Sequence, residues 1–152
     1  MGTGFFVHHR ILSNIKTVKF VSDGMPCVVL RDRWCNIIVF NMHTPSVEEC
    51  NDSKDSLYGE LKQVVGQFPK YHTKITLGYF NAKVGRESNF KPTIGNESLH
   101  QDSNNNGVRT VKFATSKNLL LRAQFYRTEA FMCTPAPLLM TDSQLDWSHI
   151  DR

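Results

Sequence analysis

The chain has 152 residues, 40% of them hydrophobic and 21% charged, with a formal net charge of +4. That suffices for one domain with its own apolar core and excludes fibrous and low-complexity classes. No apolar run approaches the ~20 residues of a membrane span, and residues 1–10 lack the basic and apolar regions of a secretory leader, so a nuclear or cytoplasmic protein without a membrane partner is expected.

In chain order, the first third reads as strands over residues 4–7, 18–21, 27–30 and 36–40. The last contains Ile37-Ile38-Val39-Phe40, a continuous apolar run that predicts burial on both faces. A helix is predicted over 54–68, with Leu57, Leu61, Val64, Val65 and Phe68 on one face, Asp52 or Ser53 as its cap and Pro69 as its stop. A short strand over 74–77 leads into Gly78-Tyr79-Phe80-Asn81. Residues 86–106, rich in Asn, Ser and Gly, predict a long surface loop. A second helix over 107–117, with Asn106 as its cap, and a strand over 119–121 follow. Residues 128–143 hold Pro135 and Pro137 and predict no element, and 144–150 predict a last strand. Strands alternating with helices define a layered α/β domain.

Cys27, Cys35, Cys50 and Cys133 lack CxxC spacing and read as free thiols. The six histidines are scattered, and adjacent His8 and His9 on a strand point to opposite faces, so no zinc site is expected. The positive charge favours a polyanionic partner through counterion release, although Lys and Arg are spread along the chain without a basic run.

Gly78-Tyr79-Phe80-Asn81 resembles the Gly-Asp-Phe-Asn that ends a buried strand in the endonuclease/exonuclease/phosphatase family. Further stretches, among them Arg33-Trp34-Cys35-Asn36-Ile37-Ile38, Ala82-Lys83-Val84-Gly85-Arg86-Glu87 and Phe113-Ala114-Thr115-Ser116-Lys117-Asn118-Leu119, resemble the craniofacial development protein 2-like group, which is similar to the endonuclease domains of non-LTR retrotransposons. The resemblance runs through nearly the whole chain in linear order. It implies an α/β fold, an incomplete four-layer α/β sandwich with two packed mixed sheets flanked by helices, spanned by residues 1–152 as a single partial domain. It also implies Mg²⁺-dependent hydrolysis of a DNA phosphodiester. Such chemistry needs carboxylates to hold a hard cation, an acceptor to orient water and fixed donors facing the phosphate.

By resemblance the Asp position, which orients the attacking water, is Tyr79 here, while Asn81 keeps the phosphate donor. Tyr, with a phenol pKa of about 10, brings neither charge nor a ready base near neutrality. Asn41-Met42-His43-Thr44-Pro45 resembles Asn-x-Tyr-Ala-Pro, with His43 at the phosphate-contacting aromatic position. Gln144-Leu145-Asp146 resembles Gln-Ile-Asp, which assigns a catalytic role to Asp146. The family's metal-binding Glu would precede Met1, and its Ser-Asp-His would follow Arg152. Glu48 and Glu49 read as a solvated face ahead of a helix, and His149 has no Ser-Asp before it. No metal ligand is therefore assigned, and Mg²⁺ is not expected to bind tightly.

The favoured expectation is a degenerate endonuclease fragment without catalytic activity. A residual, weak metal-dependent endonuclease is the second reading. The third is a non-catalytic nucleic-acid-binding module with Lys83, Arg86, Lys91 and Arg109 on phosphates. DNA held weakly and without sequence preference is the expected partner, and no specific protein partner is expected.

Overall fold

Six strands and three helices make up a mixed α/β unit in the computed structural model, which describes residues 3–21, 25–85, 91–94, 100–123 and 129–133. After a 3-10 turn, His9–Asn14, come β1 (Ile15–Phe20), β2 (Pro26–Leu30) and β3 (Ile37–His43). Helix α1 (Asn51–Gln67) leads to β4 (Thr73–Tyr79), and the short α2 (Lys91–Ile94) and α3 (Asn105–Ser116) precede β5 (Leu120–Ala123) and β6 (Glu129–Cys133). The strands form one sheet in the order β1-β2-β3-β4-β6-β5. Among the described strands only β3 and β4 pair in parallel; their connection through α1 is a βαβ unit, as parallel strands require a crossover of a dozen or more residues.

Period-two alternation along β3 decides which side is core. Ile38, Phe40 and Met42 are fully buried, whereas Ile37, Val39 and Asn41 on the other face are half-buried. The apolar run is thus sealed on one face, not two. Against the sealed face pack Tyr58, Leu61, Val64 and Val65 of α1 and Val111, Phe113 and Ala114 of α3, in one core cluster that also takes in Met132. Phe68 closes the end of α1 by meeting Phe40 edge to face at 5.7 Å. On the other face, Val18, Phe20 and Leu77 are exposed. The described residues contain this one sheet, and no second sheet is among them.

The predicted strands over 27–30, 36–40, 74–77 and 119–121 are all present within a few residues, and so are both predicted helices. Five local expectations are corrected. Residues 4–7 form no strand. His8 caps the 3-10 turn, its Nδ1 accepting from the Arg10 N–H, and its ring lies 4.2 Å from that of His9, so the two do not point apart. Helix α1 begins three residues early with Cys50 at its cap position, and α3 begins after Asn104, not Asn106. Finally, β6 occupies residues for which no element was predicted, between β4 and β5. The polar stretch after Gly85 contains α2 and a bridge from Gly85 to His100. The strand expected over 144–150 lies outside the described residues. Cys27, Cys35 and Cys50 are free thiols. Among the described residues no helix is long and apolar enough to cross a membrane.

Candidate functional site

The carboxyl ends of the parallel strands β3 and β4 form one rim, the position at which open α/β sheets meet their ligands. His43 and Tyr79 are the last register partners of the two strands, and both are exposed. They lie on the face away from the helices, and their rings stack 5.4 Å apart at an interplanar angle of 13°.

Each of the other three residues of Gly78-Tyr79-Phe80-Asn81 has a backbone or packing reason to be there. Gly78 sits at φ +146°, and a Cβ on it would lie 1.8 Å from the Met42 carbonyl oxygen, so only glycine lets β4 approach β3. Phe80 is fully buried in the core. Asn81 adopts φ +47°, a left-handed conformation that Asn tolerates better than most residues, and its Nδ2 donates to the Thr44 carbonyl at 2.8 Å. Thr44 answers from the other strand: its backbone N–H and its hydroxyl both donate to the Tyr79 carbonyl, at 2.9 and 2.8 Å. The two strand ends are therefore stitched together, and of the four residues 78–81 only Tyr79 turns its side chain to solvent.

Asn104 braces this rim from the start of α3. Its Oδ1 accepts from the N–H of Gly107 at 2.7 Å, capping the helix, and from the N–H of Lys83 at 3.0 Å. Its Nδ2 donates to the Asn81 carbonyl at 3.1 Å, and its own N–H to the Lys83 carbonyl at 3.0 Å. The approach is close enough that a Cβ on Gly107 would lie 1.9 Å from the Lys83 carbonyl oxygen. Two residues on, the buried Asn106 donates to the Pro45 carbonyl at 3.1 Å, while its Oδ1 has no partner among the described residues. The Thr110 hydroxyl donates to the Asn106 carbonyl at 2.8 Å, which leaves the Tyr58 phenol to donate to Thr110 at 2.7 Å. Burial pushes the Tyr58 phenol up to about 12, against the opposing pull of its bond to Thr110, so it remains a donor near neutrality.

The structure brings together His43, Tyr79 and Asn81 of the residues singled out by sequence, with exposed Lys83 on the loop that follows. Arg109 is committed elsewhere. Its guanidinium pairs with Asp55 of α1 and donates to Asn105 at 2.8 Å and Asn51 at 3.4 Å, tying the first turns of α1 and α3 together. Lys91 opens α2, its side chain beyond the described residues; Arg86, Asp146 and His149 lie outside them altogether. Glu49 accepts from the Ser46 N–H at 3.3 Å within the turn ahead of α1. Among the described residues no three His, Cys, Asp or Glu side chains stand together as a metal requires, and the rim's donors, amides, a hydroxyl, an imidazole and a phenol, do not fit a Mg²⁺ site. Sequence reading missed Asn104 and Thr44. Asn104 precedes Gly107 by the spacing of a cap and its third helical residue, a signal obscured because Asn105 and Asn106 follow it directly.

A mixed α/β sheet with its polar rim at the carboxyl ends of two parallel strands is an arrangement that many ligand-binding α/β folds share. Among solved structures, the chain is similar to the endonuclease domain of TRAS1, a telomere-specific non-LTR retrotransposon, with a TM-score of 0.51 and 15% sequence identity. The match covers 74% of this chain and 49% of that one, so the chain spans about half the length of the domain it matches. The likeness is one of fold. No family model matches the sequence, and the comparison with curated proteins gives no match.

Proposed function

We propose that the chain is a nuclease-like unit of retrotransposon origin whose rim meets the DNA backbone without cleaving it. The observation that carries this reading is the convergence of His43, Tyr79 and Asn81 on one rim of an endonuclease-type fold. In this reading the sheet face bearing Val18, Phe20 and Leu77 is the one that a second sheet covers in a complete four-layer sandwich. The phosphate partners are His43, Asn81 and Lys83. Cleavage fails because Tyr79 replaces the acceptor that orients water and because the donors gathered at the rim suit no hard cation. DNA as the partner is compatible with either a nuclear or a cytoplasmic location.

The test is a nicking assay. Purified protein incubated with supercoiled plasmid and Mg²⁺ or Mn²⁺ is expected to leave the plasmid closed. Nicking that is abolished by chelator and by Asn81→Ala establishes instead the second reading, a residual metal-dependent endonuclease.

A further inference from the structure

We infer that the stacked rings of His43 and Tyr79 form a platform for one unpaired nucleobase, a ligand distinct from the phosphates assigned to the same rim. The inference deepens the proposed function and rests on its claim that this rim meets nucleic acid. Two exposed rings on adjacent parallel strands stand 5.4 Å apart and only 13° from parallel, so the outer faces of the pair are also nearly parallel and a third planar ring can extend the stack.

The described strands flank the two ends of the stack differently. Tyr79 is flanked on one side by β3 and on the other by β6, where Glu129 is its register partner. His43 has Tyr79 on one side, but on the other the pairing of β2 with β3 ends at Cys27 and Phe40, three residues short of it. Among the described residues, therefore, no paired strand residue stands beside the outer side of His43. A base would lie against the imidazole with the phenol ring behind it. Exposed Lys83, on the loop stitched to the same strand ends, supplies positive charge for the adjoining phosphate. A base within a duplex has both faces covered by its neighbours, so the ligand is a single-stranded segment or an extruded nucleotide. Such stacking is tolerant of base identity, because every base offers a π face.

The experiment compares two fluorescently labelled 12-mers of equal charge at low salt, an oligothymidylate and an abasic strand, by anisotropy titration. The protein is expected to bind the base-bearing strand about fivefold or more tightly than the abasic one. Tyr79→Ala is expected to reduce that preference while leaving affinity for the abasic strand unchanged, whereas His43→Ala, which also removes a phosphate partner, is expected to reduce the preference and to weaken binding of the abasic strand as well; both side chains are exposed, and urea midpoints verify folding. Tyr71→Ala, an exposed aromatic before the opposite end of β4, is expected to change neither affinity. Equal binding of both strands by the unaltered protein overturns the platform and leaves the phosphate reading standing. A preference that survives both ring substitutions also overturns it. Binding to neither strand overturns the platform and the nucleic-acid reading together.

Discussion

Replacing Asn104 by Ala removes one side chain that caps α3, holds the loop after β4 and supports Asn81. The lost cap at Gly107 costs about 1 kcal/mol. The Asn81 carbonyl, in a partly buried bond, loses its donor for about 1 kcal/mol more. The Lys83 N–H is exposed enough for water to replace the lost acceptor, so its contribution is near zero. The sum is about 2 kcal/mol, which urea denaturation reads as a lower midpoint at unchanged slope. Amide exchange at Lys83 and Gly107 is expected to quicken. Asn104→Asp keeps both accepting roles, adds a negative charge favoured at a helix start and loses only the donation to Asn81, so it is expected within about 1 kcal/mol of the parent. A loss below about 0.5 kcal/mol for the Ala variant, or an Asp variant as weak as the Ala one, refutes the bracing role of this side chain.

Gly78→Ala sets a methyl against the Met42 carbonyl at a positive φ, and is expected to cost more than about 2 kcal/mol and to yield poorly folded protein, read by circular dichroism. Tyr79→Asp alone is not expected to produce nicking, because it adds one carboxylate where no cluster of metal ligands stands; plasmid nicking by this variant overturns that view. DNA affinity is expected to be weak, indifferent to duplex sequence and to fall steeply with salt, as a titration between about 50 and 200 mM shows. Stability is expected to fall from pH 9 towards 11. Burial raises the Cys27 thiol from 9.0 to about 11, so the unfolded chain releases its proton first, and at pH 10 this costs the fold on the order of 1 kcal/mol. Lys74, lowered by burial, acts in the opposite sense as pH rises towards 10.5, so comparison with Cys27→Ala isolates the thiol's share.

Much of the frame was legible because its signals are local. The apolar run of β3 and the helical period of α1 each point to one conformation, and the structure follows them. β6 was not legible: Glu129-Ala130-Phe131-Met132-Cys133 has no strong period and lies near Pro135 and Pro137, and its strand is specified by partners on both sides, Thr73–Tyr79 and Leu120–Ala123. The opposite error, a strand over 4–7, shows apolar residues that no ladder adopts, although the Gly4 carbonyl does receive the Asn41 side-chain amide. At the rim, His43, Tyr79 and Asn81 could be named from sequence because they stand in stretches that resemble family motifs, and their places at the ends of apolar runs put them at one rim. Asn104 and Thr44 could not, since their work is long-range hydrogen bonding to residues 21 to 35 positions away.

The sheet order also fixes a schedule of assembly. Among the described strands β5 pairs with β6 alone, and β6 also supplies the second neighbour of β4. During synthesis, β1 to β4 can associate as each leaves the ribosome, but β5 emerges with no strand to join until residues 129–133 follow. The last described strand is thus a keystone slid between two earlier ones, and a nascent chain halted just before it displays two unsatisfied strand edges at once, those of β4 and β5, both open to pairing with a neighbouring chain.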